Sequence, residues 1–282
     1  MRGIDCSARV DEERAEKIRA NGYSFVGRYL VPASMAKAIT PREAETLRRT
    51  GLGVLLVFEL EAERARRGAA VGRADGSMVR GLAKTLGAPE GTVIYFAVDY
   101  DAPPGDLDAI EAYLRAAGGE LGGYRPGVYG GYRVIEAMAE RRACSGYWQC
   151  VAWSGGRVSR HLTVYQSEWQ YGNEALAMAA KLGFYVDIDV CADMARAGIW
   201  EGKMSGEEIF RALQSYLAEQ PVPDWAEKVL GEAVALGITD GTDGMQLTPR
   251  YQAAIMALRA YKAAVAEDTN ANTHTSEHTC AL

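Results

Sequence analysis

The sequence predicts an α/β fold: an irregular TIM-type (β/α)-barrel followed by a small C-terminal α-helical module. Three observations predict it. Eight short strand-like runs alternate with helix-like segments over about 200 residues, as in a parallel barrel. Between the sixth and seventh runs the connection is too short for a full crossover helix, so the barrel is trimmed in its last third. After Val190 the strand-like runs stop and helix signals take over.

The elements follow in order. Gly3-Ile4-Asp5-Cys6-Ser7 is a short first strand that ends in an acid. A helix from about Glu12 to Ala20 is closed by Asn21-Gly22. Phe25 to Leu30 is a second strand. Thr40-Pro41-Arg42-Glu43 is a helix start, with Thr as N-cap, Pro at the first helical position and Glu two further on. Val54 to Glu59 is the third strand, a continuous apolar run suited to a strand covered on both faces. The Arg-rich segment from Glu61 to Arg67 reads as loop, and the next helix spaces Met78, Leu82 and Leu86 on one face. Tyr95-Phe96-Ala97-Val98-Asp99-Tyr100-Asp101 is the fourth strand. Its period of two predicts that Asp99 and Asp101 share a face, and Pro103-Pro104 stop it.

A helix carrying Leu107, Ile110 and Leu114 leads to Pro126–Gly130, the fifth strand, and a helix from about Tyr132 to Arg141 follows. Tyr147–Val151 and Leu162–Gln166 are strands six and seven. Tyr185–Val190 is the eighth and repeats the double acid as Asp187 and Asp189. The barrel is assigned to residues 1–200 and the helical module to 205–265. That module opens with the capping box Ser205-Gly206-Glu207-Glu208, and Asp224 caps a second helix closed by Gly237. By size it is marginal alone, so it is expected to pack on the barrel, on a second copy as a homo-oligomer, or on a partner. Residues 267–282 have almost no large apolar side chains and read as a disordered tail.

Composition narrows the function classes. A net charge of −6 argues against a general nucleic-acid binder, and no apolar run reaches the roughly 18–20 residues of a membrane span. Met1-Arg2-Gly3-Ile4-Asp5 leads straight into a strand, which predicts synthesis in the cytoplasm without a signal peptide. Cys6, Cys144, Cys150, Cys191 and Cys280 are scattered and read as reduced thiols. Only His161, His274 and His278 are present, which argues against a His-based metal site or a Ser-His-Asp triad. No cofactor or bound metal is expected.

Asp5, Glu59, Asp99, Asp101, Asp187 and Asp189 all fall at or near strand ends, where barrel enzymes keep their chemistry. Carboxylates that converge cannot all ionise cheaply, so at least one is expected to hold its proton. A protonated acid beside an ionised one is what glycosidic cleavage uses. A divalent-metal site built on oxygen ligands and a structural polar cluster are the rival readings. Tyr29, Tyr129, Tyr132, Trp153, Tyr165 and Trp169 lie at strand ends and suit stacking on sugar rings, as they also suit ordinary packing. Gln166 is a candidate for orienting a substrate group, and Arg28 for pairing with the acids.

The series Gly3–Ser7, Phe25-Val26-Gly27-Arg28-Tyr29-Leu30, Tyr95–Asp101, Gly127-Val128-Tyr129-Gly130, Val164-Tyr165-Gln166 and Val186-Asp187-Ile188-Asp189-Val190 resembles the glycoside-hydrolase-like family known as DUF1906, a relative of the family 25 lysozymes. The resemblance implies an irregular (β/α)₅(β)₃ barrel. It implies cleavage of the N-acetylmuramyl–N-acetylglucosamine β-1,4 linkage of peptidoglycan. Those lysozymes carry Asp-x-Glu on the fourth strand, with Glu as the acid; here Asp101 stands in that place, one methylene shorter. Asp5 and Asp187 match the first- and last-strand acids, and Asp189 stands where the lysozymes usually carry Asn. The catalytic expectation is therefore Asp5, Glu59, Asp99, Asp101 and Asp187. The substrate-binding expectation is Arg28, Tyr29, Tyr129, Trp153, Gln166 and Asp189.

The C-terminal module more loosely resembles a single S-layer-homology-like unit, through Trp225-Ala226, Leu236-Gly237-Ile238-Thr239-Asp240-Gly241 and Leu247-Thr248-Pro249-Arg250. Bacteriophage and prophage endolysins have a similar layout. They commonly lack a signal peptide and reach the wall through holin pores. The resemblance implies an endolysin-type peptidoglycan glycosidase, with a catalytically impaired wall-binding barrel as the alternative.

Overall fold

A computed structural model describes residues 1–201 and 220–239, with residues 210, 213, 214, 216, 217, 253 and 255–262 in addition. The chain divides into two compact units, Met1–Lys203 and Met204–Leu282. In the first, eight strands close into a barrel in chain order. They are β1 (Arg2–Asp5), β2 (Phe25–Tyr29), β3 (Gly53–Phe58), β4 (Val93–Val98), β5 (Arg125–Gly130), β6 (Gly146–Gln149), β7 (Val164–Glu168) and β8 (Asp187–Cys191). Strands β1 to β7 run parallel, and β8 closes the barrel antiparallel to both β7 and β1. The α/β barrel read from the sequence is the fold observed.

Alternation along each strand divides the apolar residues between two layers. Phe25, Leu55, Val57, Val93, Tyr95, Trp148 and Val164 pack together inside the barrel. Ile4, Val26, Leu56, Phe96, Val128 and Ile188 form the layer beneath the helices. Those helices are α1 (Glu12–Ala20), α2 (Pro41–Arg49), α3 (Ala69–Leu86), α4 (Leu107–Glu120), α5 (Tyr132–Glu140), α6 (Asn173–Leu182) and the short α7 (Met194–Ala197). The predicted Thr40 cap forms, accepting from the Glu43 N–H at 3.2 Å, and α1 is capped by Asp11, which accepts from the Arg14 N–H at 3.0 Å.

The structure departs from the sequence reading in several places, among them a 3-10 turn over Arg64–Arg67 where a loop is expected. First, α3 buries Gly72, Asp75, Gly76, Val79, Ala83 and Leu86, while Met78 is exposed. The cause is a close crossing with α4: a Cβ on Gly72 would lie 2.2 Å from the Tyr113 carbonyl oxygen, and one on Gly76 2.3 Å from that of Ala117. Arg64 holds the buried Asp75 with two bonds of 2.7 Å, and the Tyr113 hydroxyl adds a third. A face of glycines and a paired acid is invisible to apolar spacing.

Second, β4 ends at Val98, and Asp99 turns its N–H to the Ala62 carbonyl at 3.2 Å. The face shared by Asp99 and Asp101 therefore does not form. Third, α6 was not read from the sequence, although Ala175, Met178 and Leu182 give it a buried face and Gly183 ends it in a left-handed conformation. Fourth, β8 is antiparallel, so its first residue rather than its last stands at the rim.

In the second unit, α8 (Asp224–Ala235) begins at Asp224 itself, with Pro223 at the N-cap. The Ser205 capping box, the helix expected from Thr248 and the tail 267–282 lie wholly or largely outside the described residues.

Candidate active site

The C-terminal ends of β1 to β7 and the start of β8 frame a pocket of about 200 Å³. Asp5, Tyr29, Glu59, Asp99, Tyr129, Trp148, Gln166, Trp169, Gln170 and Asp187 line it. Asp5 is the last residue of β1 and lies directly opposite Asp187 across the antiparallel β1–β8 ladder. On its other side it pairs in register with Gly27, where a Cβ would come within 2.6 Å of the Asp5 Cβ. Only glycine leaves room there for the carboxylate.

Two like charges directly opposite on neighbouring strands repel, and burial leaves them little water. A single amide reconciles them. Gln166 Nε2 donates to Asp5 Oδ2 at 3.0 Å and to Asp187 Oδ2 at 3.1 Å, while its Oε1 accepts from the Tyr129 hydroxyl at 3.4 Å. Burial pushes the Asp187 carboxyl up to about 8, reinforced by the charge of Asp5. Burial pushes Asp5 up to about 6, against the hydrogen bond from Gln166 that holds it down. Both carboxyls are raised, Asp187 further than Asp5, and the two titrate as a pair.

Asp189 sits deeper and is wholly buried. Trp148 Nε1 donates to its Oδ1 at 2.9 Å, and the Trp148 ring is held edge-on between Tyr95 and Tyr129, at 5.7 and 5.1 Å. Its Oδ2 makes no hydrogen bond among the described residues, and burial together with the charge of Asp5 raises its pKa well above the ordinary carboxylate range. Burial therefore favours the protonated form of Asp189. The residue supports the floor of the site and is not a rim group that contacts substrate, as the sequence reading had it.

A pH effect on stability follows from Asp189. Below the unfolded value of 3.8 the carboxyl is protonated in both states. As pH rises past that value the unfolded chain releases the proton and the folded chain keeps it, so stability falls up to the folded pKa. Asp189→Asn presents the same acceptor to Trp148 and an N–H to Asp5. The Tm of this variant is expected to decline less between acid and alkaline pH than that of the parent, with the curves converging in acid. Parallel curves in a thermal melt series would count against the neutral-acid assignment.

The remaining expected residues divide. Tyr29 and Tyr129 line the pocket, and Trp153 stands beside it, its Nε1 donating to Asp99 Oδ1 at 3.2 Å. Glu59 lines the pocket but is held by Lys37 at 2.7 Å, whose ammonium also stacks over Tyr29 at 4.3 Å. Asp101 is outside. Its side chain is 68% exposed and pairs with Arg133 at 3.2 Å, because the chain has left the strand before reaching it. Arg28 is also outside. It points from β2 toward α2, is fully buried, and donates to Glu43 Oε1 at 2.7 Å and to the Cys6 carbonyl at 2.5 Å.

The sequence reading did not single out Trp148, Lys37 or Gln170 as site residues. Trp148 lay on a recognised strand, and inward alternation in β6 would have found it. Lys37 and Gln170 lie on loops where no periodicity points to them.

Residues 16–202 match the family model described as the Rv2525c-like, glycoside hydrolase-like domain. The uncharacterised protein FadG of Bacillus subtilis (strain 168) is 32% identical over 152 residues, which are 50% of this chain and 26% of FadG. The chain thus spans about a quarter of the length of that relative. The Tat-secreted protein Rv2525c of Mycobacterium tuberculosis, solved in complex with L-tartrate, superposes with a TM-score of 0.61 at 22% identity, covering 71% of this chain and 98% of that one. An uncharacterised B. stearothermophilus protein superposes with a TM-score of 0.52 at 19% identity, covering 71% of this chain and all of its own. At these identities the two structures establish the fold.

Proposed function

This chain belongs to the family of Rv2525c-like, glycoside hydrolase-like domains, and we propose that it hydrolyses a glycan of the bacterial cell wall, peptidoglycan, with Asp187 and Asp5 as its acid pair. The observation that carries this reading is the opposition of the two carboxyls across β1–β8, bridged by Gln166 and separated in titration. Asp187 holds the proton that the leaving glycosidic oxygen takes. Asp5 holds the charge that meets the oxocarbenium-like centre. Both touch one amide nitrogen, which favours the close pairing of a retaining mechanism over the roughly 6.5–9.5 Å that admits an inverting water. As the leaving oxygen departs with the Asp187 proton, an Asp5 oxygen bonds to the anomeric carbon. In the second half-reaction Asp187, now ionised, takes a proton from water as that water adds to the same carbon and the bond to Asp5 breaks, which frees its carboxylate. Tyr129 holds the bridging Gln166 and Trp148 supports the pair from below, while Asp99 and the Lys37-paired Glu59 complete the pocket wall.

The test is the release of reducing ends from purified bacterial wall as a function of pH. The rate is expected to rise as Asp5 loses its proton near 6 and to fall as Asp187 loses its own near 8, the two limbs belonging to the pair as a whole. No release at any pH sinks the catalytic reading. One observation favours a second reading, a wall-binding barrel without catalysis: the residue standing in place of the lysozyme acid, Asp101, faces solvent. Retention on insoluble wall without release of reducing ends would select it.

A further inference from the structure

Beyond the pocket the rim carries an aromatic row that the proposed chemistry does not use. Trp169, which lines the pocket, packs edge-to-face on Tyr171 at 5.0 Å and 84°, and Tyr171 packs on Tyr185 at 5.7 Å and 64°. The three residues are 53%, 53% and 56% exposed. Single exposed aromatics are ordinary, but three joined in a row through Tyr171, continuous with a cleft, are not.

The loop beneath them is tied down. The Glu168 carboxylate accepts from the backbone N–H groups of Glu174, at 3.1 and 3.2 Å, and of Ala175, at 3.3 Å, capping the start of α6. The Gly172 N–H closes a turn on the Trp169 carbonyl at 2.8 Å. A Cβ at Gly172 would lie 1.9 Å from Glu168 Cγ, so the turn requires glycine to keep that carboxylate in place. Rings held in this way lose little entropy when something stacks on them.

We propose that Trp169, Tyr171 and Tyr185 form a stacking platform for the part of a linear glycan that runs on from the acid pocket. The proposal rests on the glycan reading of that pocket and names its substrate as a chain rather than a single sugar. A pocket of about 200 Å³ is small, and the platform begins where it ends. Aromatic faces bind the apolar faces of pyranose rings, and their phenol and indole groups reach the hydroxyls at the ring edges. Trp153, bonded to Asp99, supplies an aromatic outside the pocket as well.

The test measures binding of soluble β-1,4-linked N-acetylglucosamine oligomers to the full chain by calorimetry, a disaccharide against a hexasaccharide. The parent is expected to bind the hexasaccharide at least about ten-fold more tightly. Tyr185→Ala and Tyr171→Ala are expected to lose that advantage and to keep the disaccharide affinity, while Tyr185→Phe retains both. Equal affinity of the parent for the two lengths overturns the platform and leaves the acid pair standing. A parent that binds neither oligomer, but self-associates in sedimentation until Tyr185→Ala abolishes it, makes the row a contact between copies and also overturns the proposal. Failure of the pocket reading is recognised separately, as no reducing-end release from wall.

Discussion

Asp187→Asn and Asp5→Asn are each expected to lower the proposed wall-glycan hydrolysis by about 10²- to 10⁴-fold, the usual range for a positioned acid or base. Neither variant is expected to unfold the barrel. Each removes one of two carboxyls that face each other across a ladder and keeps an acceptor for Gln166. Tm is therefore unchanged or raised at neutral pH while activity falls, which separates chemistry from folding. Asp101→Asn is expected to leave the rate where it was, since its side chain lies in solvent against Arg133. Reducing-end assays on the three purified proteins check the set. A loss on Asp101→Asn equal to that on Asp187→Asn would transfer the acid role to the residue that the lysozyme resemblance points to.

Arg28→Met is expected to be the most damaging single substitution for stability. It leaves Glu43 buried with the Val10 N–H at 2.9 Å and the helix-capping contacts of its own backbone, and without its cation. Breaking a buried pair on one side costs about 3–5 kcal/mol, and for a barrel of this size that lowers Tm by on the order of 10 °C. Adding Glu43→Leu removes the stranded charge and returns much of the loss. Denaturant titration of the single and double variants measures both steps. If Arg28 instead contacted substrate, Arg28→Met would raise KM with little change in Tm, and the double variant would rescue nothing.

The sequence by itself determined the barrel and most of the pocket. Strand-like runs, capping boxes and closing glycines encode local structure within a few residues of where it forms, and inward alternation carried Asp5, Tyr29, Glu59, Tyr129, Gln166 and Asp187 to one pocket. Tertiary structure decided which of these groups touch and what charge each bears. The direction of β8 turned Asp187 to the rim and sank Asp189 beneath it, and strand direction is set by how the barrel closes rather than by any residue within the strand. The end of β4 at Val98 sent Asp101 into solvent, because period two predicts a shared face only while the strand lasts. Arg28 went to Glu43 because alternate residues of β2 face the helices, and a charge buried there needs the acid that α2 brings. Proton affinity was the least legible of all. Six acids at strand ends are chemically alike in sequence, and only burial and distance set Asp5, Asp187 and Asp189 apart by raising their proton affinity above the ordinary carboxylate range.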